Sequence, residues 1–251
     1  MRPFEQAARP LVGYASDYAP GHQTGMHSHP RAQLLYAISG VMRVETEAAL
    51  FVVPPGAGLW MPAGTAHAVH MAGAVRMRAL FLRAEAARAG PGRVTVIAVS
   101  PLLRELILFA CQEGVAWDAQ GPVRHVAALA LHEIARAATR PLCLPACRDR
   151  RARRVAQILL ENPADQRGLA EYAEIAGASA RTLARLFRRE TGMSFQEWRR
   201  QHRLTEAMAR LVQGDSPAQV AAAVGYASGP AFGAAFRAVF GMTPGSVTRS
   251  W

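Results

Sequence analysis

Three arginines in the C-terminal half of the sequence are spaced as one face of a helix. Arg181, Arg185 and Arg188 follow an i, i+4, i+7 pattern, and the stretch that holds them begins at Ser179, a favourable N-cap, and ends at Gly192, a favourable helix stop. Guanidinium groups donate paired hydrogen bonds to guanine edges in the major groove of DNA, and they also bind phosphates. The stripe is therefore a candidate DNA-reading surface, although a solvated basic face would show the same spacing.

Three histidines in the N-terminal third form a second set. His27 and His29 are two residues apart, so on a strand their imidazoles point to the same side, and His67 can converge with them from a neighbouring strand. Three neutral imidazoles with an open fourth position suit a divalent transition metal, either zinc, nickel, copper or iron. The alternatives are a pocket for an organic ligand, or histidines that only satisfy hydrogen bonds in the core.

The histidines are set among short apolar segments that turn residues separate. Sequences such as Ser39-Gly40, Pro54-Pro55-Gly56 and Pro62-Ala63-Gly64 divide the region into pieces of strand length. Many short strands at regular spacing are typical of a small β-barrel or jelly roll. The predicted strands are Ala32–Ser39, Val41–Glu45, Leu50–Val53, Gly58–Met61, His67–Met71, Val75–Leu82 and Arg93–Val99.

Two spaced motifs run through these strands, Gly21-x5-His27-x-His29-x3-Gln33-x6-Gly40 and Gly56-x5-Pro62-x-Gly64-x2-His67. They resemble the paired motifs of the cupin family, which place two histidines and a glutamate from one hairpin and a third histidine from another around a metal inside a small barrel. The resemblance implies a cupin-like barrel whose metal ligands are His27, His29, Gln33 and His67.

The match departs from the family at two positions. Gln33 stands where the family commonly has glutamate, and its neutral amide oxygen is a weaker metal ligand than a carboxylate; Met71 replaces the asparagine that often closes the second motif. We also expect Trp60 and Met61 to line an effector pocket at the mouth of the barrel.

Two amphipathic helices are predicted after the strands, over Leu102–Glu113 and Val123–Ala138. They can complete the core of the barrel or pair with the same helices of a second copy, and we favour a homodimer. Residues 139–147 contain two prolines and no helical period, so we expect an interdomain linker there. The predicted organisation is a barrel over 1–100, a helical dimerisation segment and linker over 101–147, and a DNA-binding domain over 148–251.

The stretch that carries the three arginines has a second copy 49 residues later. Helix-cap, core and stop positions recur at this constant offset, which indicates an internal repeat of two helix-turn-helix units. A helix from about Ser194 to Gln213 joins them, and its length of ~30 Å is close to the ~34 Å between successive major-groove faces of DNA. The matching pairs are Ser179 and Ser228, Leu183 and Phe232, Phe187 and Phe236, Gly192 and Gly241, Met193 and Met242, and Ser194 and Thr243.

The tandem resembles the DNA-binding domain of the AraC family of bacterial transcription regulators. The residues that carry the resemblance are Ser179-x-Arg-Thr-Leu-x-Arg-Leu-Phe, Gly192-Met-Ser, Val224-Gly-Tyr-x-Ser, Phe232-x3-Phe236 and Phe240-Gly-Met-Thr-Pro244. A cupin-like ligand domain often precedes the tandem in that family. The resemblance therefore implies an α+β chain that binds a double-stranded DNA operator, responds to a small-molecule or metal effector, works as a homodimer and contacts RNA polymerase.

The same resemblance assigns individual residues to DNA contacts. It places the base-reading side chains of the first unit at Arg181, Ala184 and Arg185. The corresponding side chains of the second unit cannot hydrogen-bond a base edge, so we expect the first unit to read sequence and the second to position the protein. Those three residues are Gly229, Pro230 and Ala234. The residues assigned to phosphate and backbone contacts are Ser179, Thr182, Arg188, Ser228, Gly229, Pro230 and Arg237.

The charge of the chain favours a polyanionic partner. All 29 basic residues are arginine, the net charge is +11, and residues 148–251 hold 16 arginines against 9 acidic residues. No apolar run approaches the ~20 residues of a membrane-spanning helix, and the first residues lack the apolar core of a signal peptide. The three cysteines do not form a disulfide framework. We therefore expect a cytoplasmic protein that does not enter a membrane.

Two other functions are compatible with this sequence. The barrel can be a metal-dependent oxygenase or isomerase with a DNA-binding appendage, but Gln33 replaces a carboxylate and no acid–base partner lies beside it in the sequence. The second alternative function is a constitutive architectural DNA binder, in which the barrel serves only for dimerisation. We favour a regulator without catalytic residues.

Overall fold

The computed structural model describes residues 3–88 and 90–250, so Met1 and Arg2, which entered the argument about a signal peptide, lie outside it. The chain divides into two compact units. The first contains the chain up to Thr46 together with Phe51–Leu142, and the second contains Glu47–Leu50 and the chain from Cys143 onward. The division between residues 142 and 143 falls inside the segment 139–147 that was predicted as a linker.

The first unit is built on an antiparallel β-sheet. Strand β5 lies between β1 and β2, and β2 also pairs with β4, which in turn pairs with β6. This sheet-rich region, followed by helices, confirms the predicted α+β class with an N-terminal cupin-like domain. The strands are β1 (Leu11–Tyr18), β2 (Ala32–Thr46), β3 (Ala49–Val53), β4 (Ala57–Met61), β5 (His67–Leu82) and β6 (Thr95–Ala98).

Strands β2 and β5 are longer than predicted, because each joins two predicted strands across a glycine that lies within the sheet. Gly40 has a φ of +81°, and the register between β2 and β5 shifts around it. A Cβ atom at Gly40 would lie 2.2 Å from the carbonyl oxygen of Ala74, so only glycine fits. Gly73 in β5 has a φ of +91°. Strand β1 was not predicted at all.

The helices of the first unit are α1 (Pro3–Gln6), α2 (Ala84–Ala87), α3 (Pro101–Gln112) and α4 (Val123–Arg136). Helix α3 packs directly on β1, where a Cβ atom at Gly13 would lie 2.3 Å from the carbonyl oxygen of Ala110. Both α3 and α4 bury one face against the sheet in a single apolar cluster. These two helices, predicted as a separate dimerisation segment, therefore complete the core of the barrel unit.

The exposed faces of α3 and α4 carry two large apolar side chains. Leu102 is 49% exposed and Leu129 is 48% exposed. Helix α4 turns Val123, Ala127, Ala130 and Ile134 towards the sheet, which leaves Leu129 on its outer face. The structure contains one copy of the chain, so dimerisation through these faces stays a prediction.

The second unit is helical apart from one short strand, β7 (Cys143–Pro145). Beside this strand, the backbone N–H of Ala146 donates to the carbonyl oxygen of Ala48 in the segment Glu47–Leu50. The helices are α5 (Arg150–Glu161), α6 (Leu169–Ala176), α7 (Ala180–Thr191), α8 (Phe195–Val212), α9 (Pro217–Ala223), α10 (Gly229–Phe240) and α11 (Pro244–Ser250).

The caps of the two predicted repeats are present in the structure. The hydroxyls of Ser179 and Ser228 accept hydrogen bonds from the backbone N–H of the third residue of α7 and α10, Thr182 and Ala231. Gly192 and Gly241 end the two helices in the left-handed conformation. Helices α6–α7 and α9–α10 therefore form two helix-turn-helix units, joined by α8.

Arg203 on α8 forms hydrogen bonds at both helix-turn-helix units. Its guanidinium donates to the carbonyl oxygens of Pro163 at 2.9 Å, Asp165 at 2.8 Å and Gly225 at 3.1 Å. The first two precede α6, and Gly225 lies in the turn between α9 and α10. Burial lowers the pKa of Arg203, but the group stays charged at neutral pH. One side chain thus links α8 to the segment before α6 and to the turn before α10.

We expect Arg203→Met to reduce the free energy of unfolding of the C-terminal unit by about 2–3 kcal/mol, because the carbonyl oxygens of Pro163 and Asp165 lose the donor that the guanidinium supplies. Urea denaturation followed by Trp fluorescence measures the change. Arg200→Met is the matched control, since Arg200 is exposed on the same helix. Equal effects of the two substitutions would contradict this role for Arg203.

Candidate nucleic-acid interface and metal centre

The structure brings the three predicted histidines together. His27 and His67 are direct neighbours, because each donates its backbone N–H to the carbonyl oxygen of the other, at 2.9 and 2.8 Å. Their ring centroids lie 4.4 Å apart, and His29 lies 4.9 Å from His27 and 5.5 Å from His67. One nitrogen from each ring lies within 4.8 Å of the others. The sequence pattern predicted His27 and His29 on a strand. In the structure they lie instead in an irregular segment that isolated bridges join to β5.

A hydrogen bond at Nδ1 sets the tautomer of each imidazole. Nδ1 of His27 donates to the carbonyl oxygen of Gly25 at 2.7 Å, and Nδ1 of His67 donates to that of Thr65 at 2.9 Å. Nδ1 of His29 donates to the carboxylate of Glu5 at 2.9 Å. Each ring therefore carries its proton on Nδ1 and its lone pair on Nε2, the arrangement in which a histidine binds a metal ion.

His67 is held neutral by its surroundings. Its side chain is 2% exposed, and burial lowers its pKa to about 4. A neutral imidazole keeps its lone pair at physiological pH, so a metal ion does not have to displace a proton from His67.

The histidines and Gln33 line one small cavity inside the barrel. Its volume is about 20 Å³, which is room for about one water molecule. Gln33 is 5% exposed, and its Oε1 atom is buried without a hydrogen-bond partner among the described residues. A buried acceptor of this kind costs free energy unless a donor or a cation reaches it. The lining therefore fits a metal ion, and it is too small in this conformation for an organic effector.

Trp60 and Met61 do not line this cavity, contrary to the prediction. Trp60 is paired with Leu34, the neighbour of Gln33, and successive residues of a strand point to opposite faces. Trp60 therefore points away from the histidines into the cluster beneath α3 and α4, where its Nε1 donates to the carbonyl oxygen of Pro91 at 2.7 Å. Met61 is opposite Gln33 in the register and buried, but it is absent from the cavity lining.

Glu5 on α1 is a site residue that the sequence did not reveal. It reaches the histidines because α1 is anchored against the barrel: the ring of Phe4 stacks on that of Phe81 at 3.9 Å. The buried guanidinium of Arg31 also donates to the carbonyl oxygens of Ala7 and Arg9. A carboxylate behind a ligating histidine orients the ring and raises its basicity. No motif spacing links position 5 to position 29, so only the folded chain shows the pair.

We expect Glu5→Gln to weaken metal binding about 10- to 100-fold, because the substitution removes the charge behind His29 while keeping the size of the side chain. Competition with a chromophoric chelator measures the affinity. Glu85→Gln, which changes an exposed carboxylate, is the matched control and should bind metal like the unmodified protein. Full affinity in both Glu5→Gln and Glu5→Ala would exclude this role.

The cysteines show no sign of a metal site among the residues that the structure describes. Cys111, Cys143 and Cys147 form no disulfide there, and the histidine set is the one group among the described residues with metal-ligand geometry. Burial raises the pKa of Cys147 to about 12, so its thiol stays protonated and packs as a small apolar group.

Helix α7 buries its apolar face and exposes its arginines, as the sequence predicted. Leu183, Leu186 and Phe187 lie in the core of the second unit, while Arg181 and Arg185 are exposed. Neither arginine makes a hydrogen bond or ion pair within the part of the chain that the structure describes. Their guanidinium groups are therefore available to an external acceptor.

The remaining predicted DNA contacts surround this pair. Ala184 lies between the two arginines on the same face, and Thr182 hydrogen-bonds the Ser179 hydroxyl at 2.9 Å. Arg188 reaches Glu197 at 3.4 Å, with both side chains exposed. An exposed pair of this kind contributes little stability, so a phosphate can replace the carboxylate at small cost.

Helix α10 repeats the fold of α7 but not its chemistry. Phe232, Phe236 and Phe240 form its buried face. On the exposed face, Arg237 is the counterpart of Arg188. The other predicted contact residues, Ser228, Gly229, Pro230 and Ala234, are also exposed and bring no charge.

Helix α8 sets the distance between the two exposed faces. It has 18 residues, which corresponds to a length of about 27 Å. Its start is fixed by a capping box in which Ser194 and Glu197 satisfy each other's backbone N–H groups. This spacing allows α7 and α10 to approach neighbouring turns of the major groove.

Comparisons with known proteins agree with this architecture. The chain matches a cupin domain over residues 15–83 and a helix-turn-helix domain over residues 172–250. It is 32% identical over 220 residues to the HTH-type transcriptional regulator NimR of Escherichia coli (strain K12). The aligned region covers 88% of this chain and 80% of that protein. It is 47% identical over 113 residues to the HTH-type transcriptional regulator RipA of Corynebacterium glutamicum, covering 45% of this chain and 33% of that protein.

A crystal structure of an AraC-type transcriptional regulator from Chromobacterium violaceum shares 27% sequence identity over 39% of this chain and 89% of that chain, with a TM-score of 0.38. The tandem of helix-turn-helix units behind a cupin domain defines a DNA-binding transcription regulator. The chain belongs to the AraC family of these regulators. Among the described residues, no helix has both the length and the apolar character needed to cross a membrane.

Proposed function

We propose that this regulator is controlled by a divalent transition metal held by His27, His29 and His67, with Gln33 as the fourth protein group. The observation that carries the proposal is the shared tautomer of the three rings: every Nδ1 is a hydrogen-bond donor to the protein, and every lone pair is on Nε2. The donor set of three imidazoles and one amide oxygen suits zinc, nickel, copper or iron(II). The relatives are named as regulators, and we assign the barrel a regulatory role and no catalytic one.

The residues around the cavity explain how occupancy can be sensed. A bound cation would supply positive charge and fixed coordination. Its effect would reach the rest of the barrel through the elements that hold the site residues. His67 belongs to β5, His27 and His29 belong to the extended segment before β2, and Glu5 belongs to α1. Holding these three elements together stiffens one end of the barrel. We propose that this changes the equilibrium between conformations of the whole chain that differ in affinity for DNA.

We further propose that the regulator acts as a homodimer in the cytoplasm, where its DNA lies, and that it contacts RNA polymerase at the promoter. The outer faces of α3 and α4 are the surface for pairing, because Leu102 and Leu129 are half exposed there. Two copies would present four helix-turn-helix units, enough for two operator half-sites.

Metal analysis of protein purified without chelator, combined with operator titration before and after metal removal, tests this function. The DNA is an operator selected from a random duplex library with the full chain. We expect close to one metal ion per chain and a change of at least fivefold in operator affinity when it is removed and restored. Metal-free protein whose operator affinity is insensitive to all four metals would contradict metal control, while leaving DNA binding itself intact.

A further inference from the structure

The exposed face of α10 is an apolar groove that the assignment of DNA contacts leaves unexplained. Pro230, Gly233, Ala234, Arg237 and Ala238 line it at i, i+3, i+4, i+7 and i+8, so they occupy one side of the helix. Arg237 is the single charged side chain among them. A helix that faced only water would gain nothing from such a surface, and exposed apolar patches usually mark an interaction site.

The internal repeat relates this groove to the proposed DNA-binding face of α7. The offset of 49 residues maps the five positions onto Arg181, Ala184, Arg185, Arg188 and Arg189 of α7. The counterpart of Ala184 is therefore Gly233, and the prediction that included Gly229 among the base-facing positions was wrong. The two helices share their serine caps, a buried phenylalanine (Phe187 and Phe236) and their glycine stops. They are therefore presented to DNA in the same way, and Arg237 keeps the phosphate-facing position of Arg188. Equivalence with the exposed face of α7 in the repeat makes the occupant a second turn of the major groove.

An apolar surface can recognise one feature of the major groove. Each base pair displays hydrogen-bond donors and acceptors there, but only thymine displays an apolar group, the C5-methyl. Ala234 stands where α7 has the base-reading Arg185, and the exposed Pro230 and Ala238 flank it. Gly233 has open space beside it, so no side chain prevents close approach of the helix to the base edges.

We propose that α10 reads thymine methyl groups through Ala234 and its apolar neighbours, so that the second unit contributes sequence specificity of its own. The operator then has two kinds of element. The element bound by α7 is specified by arginine hydrogen bonds, and the element bound by α10 contains thymine at the position that faces Ala234. This inference rests on DNA binding by the tandem and is independent of metal control.

Selection from a random duplex library with the full chain provides the operator, and a repeat of the selection with Arg185→Ala identifies the two elements. Base preference should relax in the α7 element and survive in the α10 element. Thymine should be enriched in the latter. An α10 element with no thymine preference would overturn the proposal.

Replacing thymine by deoxyuridine in the selected operator then removes single methyl groups without changing the protein. In the α10 element we expect about fourfold weaker binding for each contacted thymine, the factor that corresponds to one buried methyl group. Thymines outside both elements should tolerate the replacement and serve as the control. An operator that binds equally well with deoxyuridine throughout the α10 element would contradict the proposal.

A double-mutant cycle locates the contact on the protein. Ala234→Gly removes the methyl partner, so the deoxyuridine penalty should fall from about fourfold to less than twofold in this variant. Ala222→Gly makes the same change at an exposed position of α9 and should leave the full penalty. A full penalty in Ala234→Gly would place the contact elsewhere and overturn the assignment. Failure to bind any DNA would instead count against the function of the tandem as a whole.

Discussion

Replacing His67 by glutamine is expected to weaken metal binding more than 100-fold. The substitution removes one of three imidazoles from the donor set, and losing a ligand should exceed the 10- to 100-fold effect of losing a supporting residue such as Glu5. Glutamine keeps a polar side chain of similar size in a position that is 2% exposed, so the barrel should still fold. Competition titrations with zinc, nickel and copper against a chelator measure the loss.

His70→Gln is the control for this experiment. His70 lies three residues further along β5, is outside the histidine cluster, and pairs with Gln23 through an isolated bridge. It should bind metal with unchanged affinity. A His67→Gln protein that keeps full affinity, with circular dichroism like that of the unmodified protein, would remove His67 from the site.

Replacing Arg185 by alanine is the prediction with the second-largest effect. We expect operator binding to weaken by about 1–3 kcal/mol, roughly 5- to 150-fold, with relaxed base preference at one position of the site. The physical reason is that Arg185 is exposed on the face of α7 and pairs with no described residue, so its donors are available for a guanine edge. Binding measured on the operator and on its single-base variants gives both the affinity and the specificity.

Arg188→Ala provides the contrast on the same helix. Because Arg188 is assigned to a phosphate, its loss should weaken binding to all of these DNA sequences by a similar factor and reduce the dependence on salt concentration. An Arg185→Ala protein with unchanged specificity would contradict the base-reading assignment. Opposite roles for the two arginines, with Arg188 setting specificity, would also contradict it.

The helical half of the molecule was the more predictable from sequence, and the reason is that its signals are local. Ser179, Gly192 and their copies at Ser228 and Gly241 set helix ends within one turn, and the buried residues between them follow a single period. The repeated local pattern was therefore sufficient to predict the two helix-turn-helix units and the exposed arginines of α7. Arg203 was not predicted, because its three carbonyl partners lie 22 to 40 residues away in the sequence.

The barrel was predictable in its motif spacing but not in its details. The spacing of His27, His29 and His67 correctly indicated that the three rings meet. It gave no indication of which face Trp60 would occupy, since that depends on the register with Leu34 and on the packing of two later helices. Glycine has the same signature in a turn as in a bulge, so only the pairing of β2 with β5 distinguishes the two at Gly40.

The position of Glu5 shows a further limit of sequence reasoning. A carboxylate that supports a ligating histidine can come from any part of the chain, and here it comes from a four-residue helix at the N-terminal end. Only the packing of Phe4 against Phe81 and the hydrogen bonds from Arg31 bring it into place. Supporting residues of this kind are defined by tertiary contacts and have no spacing rule.

The most direct test of metal control is the reciprocity between metal and operator binding. If occupancy of the histidine site changes operator affinity by some factor, saturating operator DNA must change metal affinity by the same factor, because both describe one coupling free energy. Calorimetric titration of metal into the full chain, with and without the selected operator, measures it. We predict equal factors of at least fivefold in the unmodified protein and none in His67→Gln. A metal affinity that the operator leaves unchanged would contradict the account.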